Sequence, residues 1–348
     1  MYVVSDDSGI TMKAREGDLI ETFDGNIFDV KGLVHPIDRI VAFIRFTPDP
    51  NGERLRGNSR YKKIYPLHER YALLRKKFPE YLLFDAVFNQ WLCEVPTEKV
   101  KMRHEPSRHL GQLRRKRVLG RLERQTLDLA RLLHVKAGVR WSALGVSGSL
   151  LVGLNTNKSD IDLVVYGSQN ARKIHNTLKL LVEDAESSVK LYDKQNLRTL
   201  FGFRSKDTHM RFEDFVRTES RKVLQGKFQD RDYYIRCVKN WKEVVETYGS
   251  IRYKATGEAT ISATVVDDSQ MIFTPCTYQV EDVHIVKGKN LQLPREVVSF
   301  RGRFCEQARN GERIIARGMI ESLKGASEPE HFRLLVGNAA SDFLILAD

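Results

Sequence analysis

Between residues 18 and 46 the apolar positions come in short runs, "DLIETF", "NIFDVKGLV" and "RIVAFIRF", each the length of a strand. Asp24-Gly25 lies between the first two, a dipeptide that favours a hairpin corner. The Pro-, Gly- and Lys/Arg-rich stretch "TPDPNGERLRGNSRYKK" then reads as a loop, and "PLHERYALLRKKF" as a helix with Pro66 at its first position. "EYLLFDAVFNQWLCEV" reads as a strand pair. From Ser107 to Arg140 the period lengthens, with Leu119, Leu122, Leu129, Leu132 and Leu133 at helical spacing, which predicts mostly helix. Residues 141–249 alternate: strand "WSALGVS", short helix "SLLVGL", strand "DIDLVVYG" and helix "SQNARKIHNTLKLLVED". A less regular helical stretch and the strand "RDYYIRCVKNW" follow, an α/β pattern. Beyond Tyr253 the pattern is β-only, "EATISATVVDD", "MIFTPCTYQVEDVHIV", "EVVSFRGRFC", "ERIIARGMIESL", "FRLLVGN" and "DFLILA", which predicts a small antiparallel barrel.

These changes of period divide the 348 residues at about 105 and 250: an N-terminal α+β domain (1–105), an α/β core with its preceding basic helix (106–250) and a C-terminal β-barrel (251–348). With 41% hydrophobic and 29% charged residues the chain is of globular type. No apolar run reaches the length of a membrane span, and "MYVVSDDSGI" lacks the basic-then-apolar layout of a secretory leader, so a cytoplasmic protein with no membrane partner is expected. Cys93, Cys237, Cys276 and Cys305 are widely spaced and read as buried free thiols. The net charge of +12 favours a phosphate-bearing partner, a nucleotide or nucleic acid. The run Arg114-Arg115-Lys116-Arg117 fits either phosphate binding or a solvated helix face.

The chemistry concentrates in "GVSGSLLVGLNTNKSDIDLVVYG", Gly145 to Gly167. Residues two apart on a strand share a face, so Asp160 and Asp162 project together while Ile161 points to the core. Two adjacent carboxylates repel unless a cation lies between them, and Mg²⁺ accepts one or two carboxylates together with substrate phosphate. Upstream, Gly148-Ser149 stands where strand passes to helix, a place for close backbone approach and phosphate contact.

Taken in order, Gly148, Ser149, Asp160, Ile161, Asp162 and Leu163, flanked by apolar strands, resemble the signature of the nucleotidyltransferase superfamily that includes DNA polymerase beta, CCA-adding enzymes and poly(A) polymerases. Ser147 stands where that pattern has an apolar residue. The likeness covers about residues 140–240. The chain as a whole resembles an uncharacterised archaeal nucleotidyltransferase family, through "FDVKGLVHP" and "SFRGRFCEQA".

The resemblance implies a nucleotidyltransferase core with a mixed sheet, flanked by the α+β domain and an OB-like barrel. It implies two Mg²⁺ ions bridged by Asp160 and Asp162, one ion also touching a third carboxylate on a neighbouring strand. Asp230 and Asp232 share one strand face, and Asp232 adjoins the apolar run whereas Asp230 fits the turn; Asp232 is the first choice, with Glu213 and Asp214 as outside candidates. Asp232 would also take the acceptor's proton, Ser149 would bond a terminal phosphate, and Lys158 would add charge there.

The implied reaction moves an NMP group from an NTP such as ATP to an acceptor hydroxyl, with RNA favoured over DNA. A nucleic-acid-binding protein on a non-catalytic transferase scaffold is the alternative, and a module acting on a protein partner the third reading. In "SFRGRF", Phe300, Gly302 and Phe304 would alternate with Arg301 and Arg303, as core residues and solvated arginines or as a single-strand binding face.

Overall fold

The computed structural model describes residues 12–288, 291–325 and 329–347; the stretch "MYVVSDDSGI" lies outside them. The N-terminal strands are β1 (Leu19–Thr22), β2 (Ile27–Val30), β3 (Arg39–Pro48), β4 (Arg54–Arg56) and β5 (Ser59–Lys63), followed by helix α1 (Leu67–Lys77), β6 (Leu82–Asp85), β7 (Gln90–Pro96) and β8 (Val100–His104). They form a sheet in the order β4-β5-β3-β2-β1-β8, with β7 on β3 and β6 on β7. The stretch read as a loop is a hairpin, β4 on β5 with Arg56 opposite Ser59. Its strands are mostly exposed and polar, so no apolar alternation announced them. The hairpin matters because β5 continues onto β3, setting Lys63 opposite Phe46.

The middle unit holds α2 (Pro106–Arg115), α3 (Arg121–Ala137), β9 (Leu144–Val146), α4 (Gly148–Leu151), β10 (Ile161–Tyr166), α5 (Ser168–Glu183), β11 (Val189–Lys190), α6 (Lys194–Arg204), α7 (Phe212–Glu219), β12 (Gln225–Phe228) and β13 (Arg231–Val238). The stretch 107–140, expected to be mostly helix, holds two helices, with a break before Gly120, whose N–H donates to Glu123 at 2.9 Å and restarts the helix. Arg114 to Arg117 are exposed, with Arg114 over the Trp141 ring and Lys116 on Glu123 at 2.8 Å. The mixed sheet runs β11-β12-β13-β10-β9, with β10 parallel to β13. Ile161, Leu163 and Val165 join Leu129, Leu133, Ile174 and Leu178 in one core under α3 and α5. Strand alternation turns Asp162, Val164 and Tyr166 the other way, toward the N-terminal sheet.

The remaining strands are β14 (Ile251–Asp267), β15 (Cys276–Lys287), β16 (Glu296–Ser299), β17 (Arg313–Gly325), β18 (His331–Leu335) and β19 (Phe343–Leu346). Because β14 pairs with both β15 and β17, five strands close in the order β14-β15-β16-β18-β17, and β19 adds to β17. One pair, β16 with β18, is parallel, where the sequence pattern predicts an antiparallel barrel throughout. "SFRGRF" is not a continuing strand: β16 ends at Ser299 and Gly302–Phe304 form a 3₁₀ turn, so the expected alternation fails. Phe304 is buried core, while Arg301 and Arg303 both grip Asp207. A Cβ on Gly302 would lie 1.9 Å from the Tyr234 hydroxyl, so the turn needs a residue without a side chain to sit against β13.

The middle sheet and the barrel share one apolar core. The buried carboxylate of Glu306 fastens them, accepting from Val223 N (3.1 Å) and Leu224 N (2.9 Å) and meeting His175 Nε2 at 2.9 Å. The four cysteines are buried and unbridged. Glu306→Ala strands two buried N–H groups and the imidazole, and should cost about 3–5 kcal/mol in urea unfolding. A loss below about 1 kcal/mol would mean that this carboxylate does not fasten the two units.

Candidate functional site

The register Ile161 opposite Tyr233 and Asp162 opposite Tyr234 places Asp160 and Asp232 together, one step earlier, at the same ends of two neighbouring parallel strands. Residues opposed across such a pair point the same way, so Asp160, Asp162 and Asp232 share a face. All three line a cavity of about 650 Å³ enclosed by the three sheets. Asp230 does not: it sits in the turn from β12 to β13 at φ 65° and is exposed. Asp214 is committed to Arg211 at 2.8 Å, and Glu213 is exposed on α7.

The Asp160 and Asp162 carboxylates make no hydrogen bond or ion pair with any described residue. Burial first, and then the charge of Asp160, push Asp162 up to about 7, against the pull of Lys63, Arg236 and Arg45. Asp162 also leans over the backbone of Gly148: a Cβ there would stand 1.8 Å from Oδ2, and the residue holds φ +64°. Glycine is thus required twice at this corner, by its conformation and by the carboxylate.

Asp232 differs. Its side chain is 52% exposed, and Lys227 Nζ approaches one oxygen at 3.0 Å. The Tyr192 phenol lies beside it; burial first and then this carboxylate raise the phenol well above its ordinary range. Among the described residues no three His, Cys, Asp or Glu side chains assemble a ready metal cage. Two carboxylates without a partner among the described residues, those of Asp160 and Asp162, still fit a hard divalent cation, with Asp232 available only once Lys227 yields.

Two expected phosphate contacts are placed otherwise. Ser149 is buried, and its hydroxyl donates to Ser159 Oγ at 3.1 Å, while that oxygen also accepts from Thr156 N at 2.9 Å. Ser149 therefore stitches the loop ahead of β10 and does not line the cavity. Lys158 is exposed on that loop, away from the cavity wall. α4 has only four residues, too short to gather a helix dipole.

Apart from Arg301 and Arg303, the cationic side of the cavity comes from residues that sequence reasoning passed over. Lys63, at the end of β5, is brought down to about 8 by burial and Arg45, while Asp160 and Asp162 hold its charge. Arg236 on β13 is anchored by Glu16, whose second oxygen takes Gly32 N at 2.7 Å. Arg45, Arg70, Arg204, Arg301 and Arg303 extend the wall. The signal was present in "FDVKGLVHP" and "SFRGRFCEQA": Asp29, Lys31 and Gly32 of the first and Arg301, Gly302 and Arg303 of the second line the same cavity.

A protein of Methanocaldococcus jannaschii described as uncharacterised is 32% identical over 341 residues, 95% of this chain and 98% of its own length. The chain belongs to that protein's family. No family model and no solved structure matches. Among the described residues no helix is long and apolar enough to cross a membrane.

Between about pH 4 and 7 the folded family member holds a proton on Asp162 that the unfolded chain has released, so stability falls as pH rises through that window. Asp162→Asn removes the buried charge. In EDTA it should raise the thermal midpoint at pH 8, with the gain shrinking toward pH 4. Equal midpoints for the two proteins across that range would contradict the assignment. Gly148→Ala should lower the midpoint, by about 1 kcal/mol for backbone strain alone.

Proposed function

We propose that the middle sheet is a nucleotidyltransferase core and that the protein moves an NMP group from an NTP to an acceptor hydroxyl, with Mg²⁺ as cofactor and RNA as the acceptor class favoured by the +12 charge. The observation that carries this reading is the unpartnered Asp160–Asp162 pair, facing a cationic wall across one cavity. Asp160 and Asp162 would hold the ion, which supplies charge neutralisation and grips phosphate oxygens.

Lys63, charged below about pH 8, balances the aspartates and reinforces phosphate binding. Asp232, paired with Lys227 and neighboured by Tyr192, is the candidate to receive the acceptor's proton. Gly148 keeps the backbone clear of Asp162. The closed ring β14-β15-β16-β18-β17 is the order expected of an OB-like barrel, a fold class suited to oligonucleotides.

Two observations favour the alternative, a nucleic-acid-binding protein on a non-catalytic scaffold. Lys227 occupies Asp232, and the Ser149 hydroxyl is turned into the protein.

Incubation with Mg²⁺, each NTP and a panel of RNA and small-molecule acceptors separates the two. The transferase reading expects pyrophosphate release that falls by roughly a thousandfold in Asp162→Asn. Tight RNA binding with no NTP binding and no pyrophosphate would establish the scaffold instead.

A further inference from the structure

Arg70 on α1 is only 8% exposed, yet among the described residues its side chain makes a single hydrogen bond, from Nε to the Ile64 carbonyl at a long 3.3 Å. Among the described residues no carboxylate pairs with it, and it lines the cavity. A buried, unpaired guanidinium is costly and marks a missing anion. Arg45, on β3, is half-buried; its side chain lies 4.7 Å over the Tyr65 ring and makes no hydrogen bond or ion pair with any described residue.

Arg301 and Arg303 arrive from the barrel's 3₁₀ turn and share a single carboxylate, Asp207, leaving that corner with more positive than negative charge. Tyr65 senses the result. Burial alone would raise its phenol, but Arg45, Arg303, Arg204 and Arg301 bring it below the ordinary value. Burial and the neighbouring cations likewise bring Arg70 and Arg303 down to about 10.

We propose that Arg45 and Arg70, backed by Arg301 and Arg303, form a phosphate subsite separate from the aspartate pair, binding a phosphate group without help from a metal ion. A multiply charged oxyanion matches both the excess of guanidinium groups and their forked geometry; a single carboxylate would leave most of that charge unmet. The aspartates Asp160 and Asp162 mark the end of the cavity where metal-dependent contacts belong. The arginine corner is built instead from α1, β3 and the barrel turn, none of them part of the middle sheet. The phosphate comes either from a nucleotide's tail or from a second, phosphorylated substrate. The subsite stands whether or not the aspartates catalyse transfer.

The test is thermal unfolding of the whole protein in EDTA with tripolyphosphate or inorganic phosphate, against chloride at equal ionic strength. The midpoint should rise saturably. Arg45→Ala and Arg70→Met should each weaken binding by roughly tenfold or more, while Asp162→Asn, which removes a nearby negative charge, does not weaken it. Arg70→Met should also raise the midpoint of the unliganded protein, which removal of a merely structural side chain would lower. If Arg70→Met does not fold, Arg70→Lys, which keeps the charge and loses the fork, should bind more weakly than the native chain. No response to either anion would overturn the proposal. So would a response indifferent to both arginines, or one seen only with Mg²⁺ and lost in Asp162→Asn. With Mg²⁺ and a non-hydrolysable ATP analogue present, competition with inorganic phosphate assigns the subsite to the nucleotide tail, and additive stabilisation assigns it to a second substrate.

Discussion

Two carboxylates of like charge, one residue apart on a half-buried strand end and without a donor between them, are the constraint around which this protein is arranged. Burial, joined by the charge of Asp160, pushes Asp162 up to about 7. The surrounding residues answer that charge at a distance: Lys63, Arg45 and Arg236 lower its energy without touching it. A pair so placed is stable enough to persist and poor enough in partners to bind a cation, which is the condition a divalent site requires.

The three sheets are interdependent for the same reason. β10 and β13 bring the aspartates to one face, but the middle sheet carries few cations to oppose them. Lys63 and Arg45 come from the N-terminal sheet, and Arg301 and Arg303 from the barrel. Arg236, on β13 itself, is held by Glu16, ahead of β1, and by Asp29 of β2. The cavity therefore exists only in the assembled chain, in keeping with a relative aligned along 95% of its length.

Much of the middle unit was legible in the sequence, because its apolar strands and the Leu periodicity of α3 report burial directly. "DIDLVVYG" alternates as the pleat demands, and Asp160 and Asp162 were visible as charges on such a strand. Other features are set by contacts remote in sequence. The β4–β5 hairpin has almost no apolar alternation, since it is an exposed ribbon fixed by pairing to β3. "SFRGRF" reads as a strand by its alternation, but Gly302 is drawn against the Tyr234 hydroxyl and turns the chain. Ser149 matches a motif position, yet its partner, Ser159, belongs to the loop ahead of β10 and captures the hydroxyl. The basic wall was the hardest to foresee: Arg45, Lys63, Arg70 and Arg301 are ordinary surface-type residues until three units fold them inward.

The most direct measurement is a crystal of the protein grown with Mn²⁺ and a non-hydrolysable NTP analogue, read by anomalous scattering. The account predicts an anomalous peak bridging the carboxylates of Asp160 and Asp162, with the analogue's phosphates on the side of Lys63. Density for the analogue with no ion between the two aspartates, or an ion bound only elsewhere on the protein, would contradict it.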